Sequence, residues 1–277
     1  METCIDYQNP DREPEEPQPP VAGLQALVNS IEGISLNELD VMKARLMTRM
    51  ESKHLMTIRQ CRELVQEISD SYRVLEVRDT KFSRYETMYY DNNSFINYIQ
   101  HHNGKGNRYK LRYRHYESSG DSFLEVKKKT NKGTTEKTRI KTSWPASGFQ
   151  PEEEEFLKSA FPYDFREFHP VISTRYYRFT LVSRDTPERI TFDTCISFGS
   201  GQSSVSYPGL VIGEIKYEKG VRHSPACSVL RSMGIRKRGF SKYCTGVSLH
   251  YDSVKHNRFK ENLLIISRIT SGGYAVC

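Results

Sequence analysis

From Arg108 to Tyr116 the chain changes character at every residue. Arg108, Lys110, Arg112 and Arg114 recur at i, i+2, and Tyr109, Leu111, Tyr113 and His115 fill the alternate positions. Only a strand places such residues on two opposite faces. The pattern returns five more times. Glu125, Lys127 and Lys129 oppose Leu124, Val126 and Lys128. Lys137, Arg139 and Lys141 alternate, as do Arg49, Glu51 and Lys53. Arg189 shares parity with Asp193, and Glu214 with Lys216. One such strand would be an ordinary solvated face. Six are harder to place in an open sheet, because like charges on neighbouring strands repel. A bound polyanion and interspersed carboxylates would offset that repulsion. A sheet closed into a barrel would turn the charged faces inward as a tunnel.

The rest of the chain supplies helices. Ser35-Leu36-Asn37-Glu38 is a capping box ahead of Leu39, Met42 and Leu46. A second helix is predicted from Thr57, with Ile58, Cys61, Leu64, Val65 and Ile68 on one side. Strands are predicted over 72–77, 85–90, 109–116, 123–129, 135–140, 176–182, 189–196 and 210–217. Turn residues at 118–121 and 131–133 join the middle strands as hairpins. Short helices are predicted at 94–100, 224–233 and 241–250. Another starts at Pro151, followed by four glutamates at the positive end of its dipole. Residues 199–209 read as a loop. The fold class expected is α+β: a closed antiparallel β-barrel of about eight strands with flanking helices.

Charge narrows the partner. Residues 1–20 hold six acids and one base among five prolines, the composition of a disordered leader. Residues 21–277 form the folded domain in this reading. From Arg108 to Thr142 there are eleven bases and four acids. Such an excess suits a polyanion. The six cysteines are scattered, with no CxxC pair, which argues against a zinc site or a disulfide scaffold. No apolar run approaches the roughly 18 residues of a membrane span. Together these predict a cytoplasmic protein. Gly104-Lys105-Gly106 lacks the frame of a P-loop, and no Ser/His/Asp triad is visible.

Seven short motifs follow one another in order: Arg49-Met50-Glu51-Ser52-Lys53, Tyr85-Glu86-Thr87-Met88-Tyr89-Tyr90-Asp91, Lys110-Leu111-Arg112-Tyr113-Arg114, Leu124-Glu125-Val126-Lys127, the pair Tyr176-Tyr177-Arg178 and Arg189-Ile190-Thr191-Phe192-Asp193, Gly213-Glu214-Ile215-Lys216, and Ser241-Lys242-Tyr243. In order and spacing the chain resembles the polyphosphate polymerase domain of the vacuolar transporter chaperone (VTC) family, in the triphosphate tunnel metalloenzyme superfamily. The resemblance covers roughly residues 35–268. It implies a tunnel holding a triphosphate and a divalent metal, Mn²⁺ or Mg²⁺. It also implies transfer of the terminal phosphoryl of ATP to a growing polyphosphate chain. A membrane partner, if used, would be a separate protein, with this chain at the inner face of the membrane.

Phosphoryl transfer needs positioning and charge neutralisation. The catalytic set expected is Lys53, Arg112, Arg114, Lys127, Arg178 and Lys216. Substrate contacts are assigned to Lys110, Lys137, Arg139, Arg189, Ser241 and Lys242, with Ser241 equally suited to cap the next helix. Arginines suit bidentate phosphate contacts and lysines point-charge ones. Glu214 is the metal ligand of choice, with Glu125 and Glu51 as second choices better suited to orienting bases. Asp193 is as well explained by structure as by function. Two alternatives share these residues: a tripolyphosphatase or nucleoside triphosphatase, and a non-catalytic polyphosphate-binding module. Tyr109, Tyr113 and Tyr116 alternate with bases as in single-strand nucleic-acid binders. The interior carboxylates disfavour that class, so nucleic acid is not the expected partner.

Overall fold

The structure, a computed structural model, describes residues 22–43, 49–145, 148–218 and 224–271. The acidic leader, residues 1–20, lies outside the described residues. In chain order the elements are α1 (Ala22–Ser30), β1 (Gly33–Ile34), α2 (Leu36–Lys43), β2 (Arg49–Thr57), α3 (Ile58–Ile68), β3 (Tyr72–Leu75), β4 (Ser83–Asp91), α4 (Ile96–His102), β5 (Arg108–Tyr116), β6 (Asp121–Lys129), β7 (Thr135–Thr142), α5 (Pro151–Ala160), β8 (His169–Ser183), β9 (Glu188–Ser200), β10 (Ser203–Tyr207), β11 (Leu210–Glu218), α6 (Pro225–Ser232), α7 (Lys242–His250) and α8 (Lys260–Ser271).

Local chemistry sets several boundaries. Thr57 ends β2 and starts α3: its hydroxyl accepts from Gln60 N at 3.1 Å, and Gln60 Oε1 accepts from Thr57 N at 3.0 Å. Such a reciprocal cap is worth about 1 kcal/mol. The β5–β6 and β6–β7 turns use Gly120 and Gly133 at φ +69° and +82°, where a side chain would be strained.

Eight strands run in the order β2-β11-β9-β8-β4-β5-β6-β7, every neighbouring pair antiparallel. One face of this sheet is apolar. Met56, Phe179, Leu181, Ile190, Phe192 and Ile215 pack there against residues of α1, α3 and α6. Leu111, Tyr113, Leu124 and Val126 continue the same face under α5. Fully burying such side chains contributes about 1.5–3 kcal/mol each, which fixes the parity of every strand. The other face is concave, and α7 and α8 pack over one end of it through Tyr243, Val247 and Ile266.

The expected closed barrel is corrected. The sheet curls, but β2 and β7, its two ends, form no ladder with each other. β7 is exposed along most of its length and carries Glu136, Lys137, Arg139 and Lys141, the charged dressing of an unpaired edge. On the β2 edge, Arg238 N donates to Lys53 O at 2.7 Å. The 199–209 loop is also corrected. Residues 203–207 form β10, which folds back on β9 around Gly201. Its Ser-rich sequence has weak strand propensity, and the β9 ladder overrides it. No helix among the described residues is long and apolar enough to cross a membrane.

Candidate functional site

The cross-strand register carries one parity around the concave face. Glu51 and Lys53 of β2 lie opposite Lys216 and Glu214 of β11, which lie opposite Arg189 and Thr191 of β9. Asp193 faces Arg178 of β8. Across β4, Tyr89 and Thr87 pair with Arg112 and Arg114 of β5. Arg112 then pairs with Glu125, and Lys110 with Lys127. Finally Lys137 and Arg139 of β7 face Lys127 and Glu125. The α7 N-terminus reaches both sides of this face. Ser241 caps the helix by accepting from Cys244 N at 3.2 Å, and its hydroxyl also accepts from Lys110 Nζ at 2.8 Å. Lys242 pairs with Asp193.

Three interior carboxylates each lie between two cations. Glu125, fully buried, accepts from Arg112 Nε and from Lys137 Nζ, both at 2.8 Å. Asp193 takes both arms of Arg178, at 2.5 and 2.9 Å, and the Lys242 ammonium. Glu214 pairs with Lys216 at 2.5 Å and Lys53 at 3.5 Å. Burial pushes the Glu214 carboxyl up, but Lys216, Lys53 and Arg178 hold it well below the usual carboxylate range. Glu125 and Asp193 are held low in the same way, by Arg112 with Arg114 and by Arg178 with Lys242.

Positive charge remains in excess. Arg114 donates only to Thr87 Oγ1, at 3.3 Å, and packs over the Tyr85 ring. Lys127 forms no ion pair or hydrogen bond with any described residue. The Arg112 guanidinium, burial and the Arg114 guanidinium push its pKa down to about 5. The Glu214 carboxylate acts on it from across the concave face, so the curl brings β6 and β11 within electrostatic reach. On the same face Thr174 Oγ1, Tyr176 OH and Thr191 Oγ1 are buried polar atoms with no hydrogen-bond partner among the described residues. A multiply charged oxyanion offers acceptors for both kinds of group.

The VTC domain family model matches residues 48–251. The chain belongs to the VTC domain family. No curated protein matches it. Among solved structures, a protein of Vibrio parahaemolyticus provisionally assigned as an adenylate cyclase shares 12% identity over 73% of this chain and 99% of its own, with a TM-score of 0.45. A provisionally assigned adenylyl cyclase of Hippeastrum, with a dominant triphosphatase activity, shares 15% over 73% and 96%, also at 0.45. The Pct1 RNA triphosphatase of S. pombe shares 9% over 86% and 97%, at 0.29.

In this VTC domain all twelve expected catalytic and substrate-contact residues lie on the concave face or at the α7 N-terminus. Their surroundings differ. Arg112, Arg178 and Lys137 are committed to carboxylates, whereas Arg114 and Lys127 are not. Arg139 lies over the Phe123 ring, 4.2 Å from its centroid. Arg189 lies beside Lys216. Glu51 is the most exposed of the carboxylates and pairs with Lys53. Among the described residues, no three of His, Cys, Asp and Glu gather as a metal site. Glu51 and Glu214 nonetheless converge on one ammonium, Lys53 Nζ. Sequence reasoning missed the aromatic lining. Tyr85 stacks on Tyr176 at 5.4 Å and packs against Arg178 at 4.9 Å. Both tyrosines stood in recognised motifs, but a motif does not say which ring meets which guanidinium.

Proposed function

We propose that the concave face binds a polyphosphate chain and the triphosphate of ATP, and that the protein is a polyphosphate polymerase. The observation that supports it is the Arg112–Arg114–Lys127 cluster: two guanidinia beside a lysine amine whose proton they push off, with one shared carboxylate between them. Uncompensated interior cations are costly unless an anion joins them. A terminal oxygen of the polymer attacks the γ-phosphorus of ATP, the bond from that phosphorus to the bridging oxygen breaks, and ADP leaves with the electron pair. Arg114 and Lys127 neutralise the charge that spreads over the equatorial oxygens. Arg112 is held by Glu125 with an orientation fixed for the same phosphate.

The donor set fits a divalent ion. Glu214 is held ionised, and it and Glu51 both approach the Lys53 ammonium, whose place between them a divalent ion would take. One or two carboxylates with phosphate oxygens and water make a typical Mg²⁺ or Mn²⁺ shell. Bound there, the ion would supply bridging neutralisation of phosphate oxygens.

The test is Glu214→Gln beside the parent protein, with ATP and Mn²⁺. Turnover should fall by at least about 100-fold while polyphosphate binding is kept or tightened, because Gln is a poor metal ligand and removes one negative charge. Long polymer with ADP as the parent's product supports the polymerase, and free phosphate assigns the same site to a hydrolase. Parent-like turnover in the variant removes Glu214 from the metal site.

A further inference from the structure

The Phe123–Arg139 pair lies on the concave face toward its β7 edge. Phe123 is the direct cross-strand partner of Arg114. Strands advance about 3.4 Å per residue, so this row lies about 7 Å beyond the Arg112–Glu125 row. The Arg139 guanidinium covers the Phe123 ring at 4.2 Å and is itself exposed, so its outer side meets solvent. Phe123 meets the Tyr116 ring edge-on at 5.8 Å, and Tyr116 meets Tyr85 edge-on at 5.0 Å. Tyr85 in turn carries the Arg114 and Arg178 guanidinia. An unbroken aromatic run therefore leads from Arg114 and Arg178 to the Arg139 guanidinium at the open seam beside β7.

We infer that Arg139, held over the Phe123 ring, is the platform on which the base of a nucleoside triphosphate stacks while its phosphates lie along Arg114, Lys127 and Arg112. This rests on the reading of the concave face as a triphosphate site and deepens it, since an inorganic polyphosphate has no use for the platform. The chemistry is direct. A guanidinium stacked on a ring has lost its rotamer freedom and presents a planar cationic surface to a π-system. Base stacking of this kind is tolerant of sequence and worth about 1–3 kcal/mol. The site reads no hydrogen-bonding edge, so it selects nucleotides as a class over inorganic chains.

The experiment is calorimetric titration of the full chain with ATP and with inorganic tripolyphosphate, both with EDTA present so that no turnover occurs. The readout is the ratio of the two dissociation constants. In the parent protein ATP should bind more tightly than tripolyphosphate. Phe123→Leu, which keeps apolar volume, and Arg139→Lys, which keeps charge at an exposed position, should each shift the ratio about tenfold against ATP. Equal weakening of both ligands would make Arg139 a phosphate contact and overturn the platform. An unchanged ratio in the Arg139→Lys protein would overturn it as well, leaving the pair as packing. A parent protein that binds tripolyphosphate as tightly as ATP would overturn the platform and leave the triphosphate site intact. A parent that binds neither would overturn both.

Discussion

Lys127 shows how far a single residue's state depends on its neighbours. The Arg112 guanidinium, burial and the Arg114 guanidinium bring its pKa to about 5 from an ordinary 10.5. Between those values the folded chain binds fewer protons at this position than the unfolded chain. Its contribution to stability therefore rises as pH rises through that window and is lost as pH falls. A polyanion on Arg112 and Arg114 removes the cause of the shift. At pH 7.5, polyphosphate binding should take up about one proton per site. Calorimetry in two buffers of different ionisation enthalpy measures that uptake. Lys127→Met should abolish it, and equal uptake in the two proteins would place the proton elsewhere.

Among the elements, α7 links the site to the core. Its first turn holds Ser241 on Lys110 and Lys242 on Asp193, while its body lies against β8 and β9. That approach is possible because position 246 is glycine. A Cβ there would sit 2.8 Å from Ile172 Cγ1 and 2.9 Å from Phe198 Cδ1. In Gly246→Ala the gain in helix propensity is about 1 kcal/mol, and overpacking costs about 1–3 kcal/mol. Overpacking should win, and α7 would back away from the sheet with Ser241 and Lys242. A fall of several degrees in melting temperature is expected, together with weaker tripolyphosphate binding. A melting temperature at or above the parent's would show that α7 has room to spare.

At the scale of the molecule, residues 1–20 are net acidic and the rest of the chain is net basic. Residues 1–20 are rich in Pro and Glu, and we propose that the folded domain does not need them. A chain starting at Val21 should melt at the same temperature and bind polyphosphate with the same affinity. A lower melting temperature would show that the leader docks on the folded domain. Tighter polyphosphate binding after truncation would show that it occupies the concave face.

Sequence by itself determined which residues of each strand share a face. Side-chain parity is a local property of a strand, so the alternation of Lys110, Arg112 and Arg114, or of Glu214 and Lys216, assigned them to one face before any pairing was known. The capping box at Ser35–Glu38 and the turns at Gly120 and Gly133 were legible for the same reason, since each is settled within four residues. Tertiary structure decided what those side chains meet. That Glu125 holds Arg112 and Lys137, and that Asp193 holds Arg178 and Lys242, follows from the registers of β5, β6 and β7 and of β8 and β9, and from the seating of α7. That Arg139 lies over a ring, whereas Lys127 forms no ion pair with any described residue, follows from packing across strands. Closure was decided there too. Local pattern cannot tell a curled sheet from a closed one, because the difference is whether β2 and β7, some eighty residues apart, form hydrogen bonds with each other.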